Sequence, residues 1–246
     1  MSSHILLPLL CYNSLDIIPY TIDFYKKQDI DIFVLDNFSN DGSWEYLKDN
    51  RIPCKRVDTG GLFDLNKLNN AREIIIRKIK PRWVLRLDSD CFILSNTIKK
   101  FVTSLNNNFN ICYSKCFRFY NTGEEINQRD PRQVFFYFDY LKHIPYLHTY
   151  KDFIKYSGDK VIMETEKKLM FGAPVLDYGN TRPKEKREEE FKRRKLAWRK
   201  GLSKHWGKHY VEFSKMGWVW DKKNLTDVRK SNYFLKFKKV FSLKGV

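Results

Sequence analysis

Through its first hundred residues the chain alternates short strand-like runs with segments of helical period, and that alternation restricts the fold more than any other feature. Ile5-Leu6-Leu7-Pro8 reads as a first strand, and Ile32-Phe33-Val34-Leu35 as a continuous apolar run halted by Asp36. An unbroken apolar run of that length is the pattern of a strand buried on both faces, as in a parallel sheet. Lys55-Arg56-Val57 supplies a third strand and Trp83 to Leu87 a fourth. Between them, Ser14 is placed to cap a helix running to about Lys27, with Pro19 near its first turn. The next helix, Trp44 to Asp49, is short. From Asp64 to Lys80, Leu65, Leu68, Ala71, Ile75 and Ile79 recur at steps of three and four, which predicts an amphipathic helix ended by Pro81. Ser95 is a further N-cap, for a helix through Leu105. Strand and helix in alternation, with short connections, predict a mostly parallel α/β sheet covered by helices on both faces.

In such a sheet, ligands bind beyond the carboxyl ends of the strands, so the residues that follow each strand carry the functional argument. The second strand leads into Asp36-Asn37-Phe38-Ser39-Asn40-Asp41-Gly42-Ser43, and the fourth into Asp88-Ser89-Asp90. Two carboxylates one residue apart, just past a strand, suit a hard divalent cation shared with a diphosphate. Asp29 and Asp31 have the same spacing but precede a strand, and are read as a polar turn. Position separates the two pairs.

The order of these features resembles the donor half of family 2 glycosyltransferases, over about Ile5 to Ser95. The opening strand leads to Tyr12-Asn13, then come the Asp-Asn-x-Ser-x-Asp-Gly-Ser loop, Gly60-Gly61, Asn70-Ala71-Arg72 and Leu87-Asp88-Ser89-Asp90. The resemblance implies the Rossmann-like GT-A fold and a sugar moved from a UDP-, GDP- or dTDP-sugar to a glycan or lipid-linked acceptor, with inversion at the anomeric carbon. It places Pro8 and Tyr12 on the nucleotide pocket, Asp36 or Asn37 on the base, and Asp41 beside it. It also implies that Arg72 reaches across to the base or the Asp-x-Asp segment. Asp88, with Ser89, would meet the donor or a metal-bound water, and Asp90 would ligate Mn²⁺ or Mg²⁺.

The second half departs from the family's pattern. Asp90 is followed by Cys91, where many relatives have another acidic residue. Asp177-Tyr178-Gly179 stands where some relatives carry His-Tyr-Gly, which makes Asp177 a metal ligand or the general base. His205 is a second candidate for completing the metal site, and His209 a weaker one. An inverting transfer needs a carboxylate to take the proton of the attacking hydroxyl. Asp177, Glu164, Glu166 and Asp130 are the candidates; Asp177 is favoured, since it follows an apolar run and precedes a glycine. The domain plan expected is one GT-A domain, with residues 1–119 as the donor half and 120–246 as the acceptor-side half. Beyond Phe119 the periodicity weakens, with strands expected near Val134–Phe138 and Val161–Met163 and a charged helix over 185–200.

Charge matters because of where it lies. The net charge is +17, yet residues 182–204 and 222–246 each contribute +7 of it. Arg182, Lys184, Arg187, Arg193 and Arg194 either clamp the donor diphosphate or form a solvated helix face. The tail around Tyr233–Phe241 mixes aromatic anchors with lysines, as suits an anionic membrane surface. Nucleic-acid binding is the alternative such basicity raises, but no nucleic-acid module is visible, and none is expected as a partner. A nucleotidyltransferase would open with a glycine-rich basic loop after the first strand, whereas Pro8 to Tyr12 has neither glycine nor basic residue. Five cysteines without a Cys-x-x-Cys pair, and no run approaching ~20 apolar residues, point to a cytoplasmic protein, with peripheral membrane contact through the tail.

Overall fold

The structure, a computed structural model, describes residues 5–93, Ile98, Val102, 109–121, 136–158, 160–169, 175–180, 184–202 and 226–227. Its donor half is a three-layer α/β unit. Strand β1 (Ile5–Cys11) lies between β2 (Asp31–Asp36) and β4 (Trp83–Leu85), and β2 pairs with β3 (Cys54–Arg56). All three pairings are parallel. The mixed continuation runs through β7 (Phe136–Thr149), β6 (Ile111–Asn121), β11 (Val175–Asn180) and β5 (Cys91–Ile93). Two short strands, β10 (Lys168–Leu169) and β12 (Thr226–Asp227), join β6 and β7. Strands β8 (Phe153–Ser157) and β9 (Lys160–Met163) form a separate hairpin. The expected sheet is therefore present, parallel on the donor side and mixed on the other.

β1 is apolar throughout because both of its faces are covered. Ile5, Leu7, Leu9 and Cys11 pack with Ile18, Ile22 and Tyr25 of α1 (Ile18–Lys26). Leu6 and Leu10 pack on the opposite face, with Leu68, Ile75 and Ile76 of α3 (Leu65–Ile79) and with Phe153 and Tyr156 of the hairpin. α3 begins where the side chain of Asp64 accepts the amide of Lys67 at 3.0 Å, an N-cap. It ends at Lys80, whose left-handed φ of 52° precedes Pro81. α2 (Ser43–Asp49) starts at Gly42, where φ is +92° and a Cβ would lie 3.0 Å from Leu15 Cδ2. Only glycine suits that position.

One expected boundary moves. Ser14 does not cap α1 with its side chain, because its hydroxyl bonds the Tyr12 carbonyl and Ser89 Oγ. The residues between form turns, and α1 starts at Ile18 with Pro19 in its first turn, where a missing amide does no harm. Ile98 and Val102 are helical and buried; the rest of the helix expected over 95–105, and the tail beyond Asp227, lie outside the described residues. The charged helix α4 spans Lys184–Arg199. Among the described residues no helix is long and apolar enough to cross a membrane.

His148 on β7 shows how tightly the hairpin is seated. It is fully buried, its Nδ1 donates to the Thr149 carbonyl at 3.1 Å, and its Nε2 accepts from the Tyr156 hydroxyl at 2.9 Å. Burial pushes its pKa down to about 3, with the nearby Arg86 charge adding to the effect. The unfolded chain therefore binds a proton that the folded chain refuses between pH 6.5 and about 3, and stability is lost as pH falls through that window. Compared with His148→Gln in urea unfolding at stepped pH, the native protein should lose its relative advantage between pH 6.5 and 3. A pH-independent difference would count against this.

Candidate functional site

The order β3-β2-β1-β4 places the reversal of strand sequence between β1 and β4, the position where an open parallel sheet forms a ligand crevice. Here the crevice has a specific cause. Pro8 sits in the middle of β1 and has no amide hydrogen to give. β1 pairs with β4 at Ile5–Trp83 and Leu6–Val84, and bridges again at Leu10–Asp88. Across the gap lies Arg72, carried inward on the apolar stripe of α3 and 2% exposed. Its Nε donates to the Pro8 carbonyl at 3.0 Å, and one Nη to the Leu87 carbonyl at 2.9 Å and to Asp88 Oδ1 at 2.7 Å. One guanidinium thus ties together β1, the end of β4 and the first carboxylate of the Asp-x-Asp segment.

Arg72 therefore reaches the Asp-x-Asp segment, one of the two roles expected of it, and Pro8 contributes a backbone carbonyl from within the sheet. Asp88 has a side chain 58% exposed, held by Arg72 through one oxygen. Ser89 turns inward: its Oγ is 3.1 Å from Ser14 Oγ, and its carbonyl accepts from Thr21 Oγ1 at 2.6 Å. These polar atoms anchor the segment to α1 and to the turn before it. Asp90 is half-buried, with the thiol of Cys91 3.6 Å from its Oδ1. The chain then enters β5, which pairs antiparallel with β11, and the register sets Asp177 opposite Cys91.

The loop after β2 also differs from expectation. Asp36 is fully buried; it accepts the Ser39 amide at 3.2 and 3.4 Å and lies 3.3 Å from Arg56 Nε. Burial raises its pKa, against the opposing pull of Ser39 and Arg56. Asn37 donates to the Leu62 carbonyl at 3.1 Å and accepts from the Thr59 hydroxyl. Asp36 and Asn37 both shape the loop, and the polar alternation of the sequence did not distinguish an inward carboxylate from an outward one.

Asp41 accepts the Leu15 amide at 3.1 Å and, through its other oxygen, the Ser43 amide and hydroxyl. It also binds Lys186 of α4. Burial alone would raise its pKa, but these donors, Lys186 foremost, bring it below the usual value. α4 makes further contacts on the same loops. Glu189 accepts from the Tyr12 hydroxyl at 2.9 Å and from Asn13 Nδ2 at 2.8 Å. Burial and this carboxylate push the Tyr12 phenol up to about 12, so it remains a donor. The Arg193 guanidinium lies 3.6 Å above the centre of the Tyr12 ring, and Arg194 lies 4.8 Å from that of Phe63. Glu190 holds both arginines. Burial opposes its charge, but Arg194 and Arg193 outweigh that and lower its pKa to about 2.

Part of the basic run is therefore turned inward onto the donor loops rather than forming a wholly solvated face. The inward choice was not visible in a sequence whose charges show little helical asymmetry.

The other expected residues separate. Glu164 is exposed, and its amide donates to the Asp152 carbonyl at 2.7 Å. Asp152 in turn accepts from Thr149, which pairs with Trp83 at the start of β4. Glu164 thus stands at the opposite end of β4 from Asp88. Glu166 pairs with Lys168 at 2.6 Å on the same side. Asp130, His205 and His209 lie outside the described residues. Among the described residues no three His, Cys, Asp or Glu side chains form a metal-binding group. Asp88 and Asp90 do supply the oxygen donors a hard cation prefers, with Asp177 next in register, so the residues present fit Mn²⁺ or Mg²⁺.

The sequence profile of the family described as Glycosyl transferase family 2 matches residues 9–158. No curated protein sequence matches the chain. Among solved structures, S. aureus TarS 1-349 is similar at 12% identity and a TM-score of 0.48, covering 89% of this chain and 77% of that one. The chain spans 36% of TarS 1-349 in its complex with UDP-GlcNAc, at 19% identity, 52% coverage of this chain and a TM-score of 0.36. It spans 46% of a longer TarS chain. Glucosyl-3-phosphoglycerate synthase from Mycobacterium tuberculosis, in complex with Mn²⁺ and UDP-glucose, is similar at 14% identity and a TM-score of 0.45, covering 83% and 81%.

Replacing Arg72 with Ala would strand the Pro8 and Leu87 carbonyls in the gap between strands. The loss should be about 2–4 kcal/mol, from buried acceptors left without donors, with little added by the exposed Asp88. Urea unfolding measures it, and a loss below about 1 kcal/mol would contradict the strap assigned to Arg72.

Proposed function

The chain belongs to glycosyl transferase family 2, a family of transferase enzymes, and from that premise we propose a metal-dependent, inverting transfer of sugar from a nucleoside-diphosphate donor to the hydroxyl of a glycan or lipid-linked acceptor. The observation that carries this reading is the placement of Asp88: exposed, tethered through one oxygen to a buried arginine, at the switch point of the sheet. Asp88 and Asp90 would hold Mn²⁺ or Mg²⁺, which when bound would neutralise diphosphate charge and so stabilise the leaving nucleoside diphosphate.

This chain's own residues do the rest. Arg72 fixes the Asp88 carboxylate in one orientation, which lowers the cost of ordering it when the donor binds. Tyr12 and Asp41 form the nucleoside side of the pocket, with the loop that Asp36 and Asn37 hold in shape. Asp177 accepts the proton of the acceptor hydroxyl as its oxygen attacks the anomeric carbon, on the face opposite the departing diphosphate. Its place opposite Cys91, beside the Asp-x-Asp segment, supports this role.

The first test is a thermal shift of the purified protein against UDP, GDP, dTDP and CMP, with and without Mn²⁺, beside Asp90→Ala. One nucleotide should stabilise the native protein in the presence of metal, by roughly 2.7 kcal/mol at about 100 times its dissociation constant. The variant should show no such shift. No response to any nucleotide in folded, metal-supplied protein would refute the reading. For Asp177→Asn, the nucleotide shift should survive while transfer falls by about 10²-fold or more. Loss of the metal-dependent shift instead would assign Asp177 to the metal.

A further inference from the structure

The contact between α4 and the donor loops contains a polar atom that has no hydrogen-bond partner among the described residues. Arg193 has a side chain only 7% exposed. Its Nε and one Nη are both bonded to Glu190, at 3.0 and 2.7 Å. Its flat face rests on Tyr12, 3.6 Å from the ring centre, and Phe63 lies 5.6 Å away. Nη1 is buried and has no hydrogen-bond partner among the described residues. A buried donor without an acceptor is a standing cost, so such a group calls for a partner from outside the chain.

The surroundings narrow what that partner is. The guanidinium is fixed by a carboxylate on one edge and an aromatic ring below, which leaves the remaining arm oriented with little freedom. A fixed arginine arm of this kind donates to an oxygen, and most strongly to an anionic one. Tyr12 follows β1, Phe63 follows β3, and Asp88 bridges to Leu10 two residues before Tyr12. The arm therefore stands over the loops at the carboxyl ends of the donor strands. The other two α4 contacts there are already satisfied, Lys186 by Asp41 and Glu189 by Tyr12 and Asn13.

We propose that Arg193 is a donor-binding residue supplied by the second half of the chain, whose free Nη1 donates to an oxygen of the bound nucleoside diphosphate. The proposal rests on the nucleotide-sugar reading above and adds a wall to its pocket. α4 and Arg193 form that wall, and because Nη1 is sealed in this arrangement, the donor enters with α4 displaced and closes it on binding. Arg193 then completes its hydrogen bonds only in the loaded protein.

Isothermal titration of the native protein with UDP and GDP in Mn²⁺ sets the reference, against Arg193→Ala and Arg193→Lys. Both variants should bind the preferred nucleotide at least 10-fold more weakly, because lysine restores the charge but neither the flat stack nor the fork. Inorganic pyrophosphate and the free nucleoside, titrated in parallel, locate the oxygen: whichever loses affinity in the variants carries it. Amide exchange across 184–199 should also slow on nucleotide binding in the native protein. Melting temperatures verify that the variants are folded, and Arg193→Lys keeps a cation beside Glu190 in case the alanine protein is not. Native-like or tighter affinity in folded variants would overturn the proposal and leave α4 as mere packing, or as a plug that competes with the donor. If the native protein itself binds no nucleotide, the donor reading fails first and this proposal with it.

Discussion

A proline in a central strand leaves a hole in a sheet, and the donor side of this protein is organised around how that hole is filled. Pro8 interrupts the hydrogen-bond ladder between β1 and β4, at the junction where the order of the parallel strands reverses. The guanidinium of Arg72 replaces the missing ladder bonds, spanning from the Pro8 carbonyl to that of Leu87. Its position follows from the rest of α3: Leu65, Leu68, Ile75 and Ile76 fix the helix face, and Arg72 falls on it. The same cation then fixes Asp88, so sheet continuity and carboxylate placement depend on one side chain. A neutral residue could fill the volume but would satisfy neither strand.

The second half of the molecule meets this arrangement through charge. α4 carries no strongly apolar stripe, and its described contacts with the donor loops are ion pairs, hydrogen bonds and guanidinium–aromatic stacks. Such contacts depend on geometry more than area. Glu190 has a central place among them, because without it two guanidiniums would face each other across Phe63 and Tyr12 with nothing between their charges.

The donor half was legible because its signals are local. An apolar run, a cap at Asp64 and a proline stop at Pro81 each act within one element, and their order was enough to predict the parallel sheet. Arg72 was traceable through the family resemblance, and its burial on the apolar face of α3 came from the structure. What the sequence hid was direction. Asp36 and Asn37 look as available as Asp41, yet the tertiary partners Arg56 and Thr59, some twenty residues onward, draw them into the loop. Ser14 looks like a helix cap until Ser89, far along the chain, engages its hydroxyl. Glu164 is set at the far end of β4 through a pairing register, Trp83 with Thr149, that no local pattern encodes. Another register sets Asp177 opposite Cys91.

The order of synthesis gives the α4 contact a further meaning. Asp88 leaves the ribosome about a hundred residues ahead of Arg193, and at roughly 5–20 residues per second that separation lasts on the order of ten seconds. During that interval β1–β4, Arg72 and Tyr12 exist, but Tyr12 and Phe63 have no helix over them. A nascent chain therefore passes through a stage in which two aromatic faces and an acidic loop at Asp41 stand open at one end of the first four strands. The residues that finally cover them are cationic, and long charged side chains can lie on aromatic surface while remaining soluble beforehand.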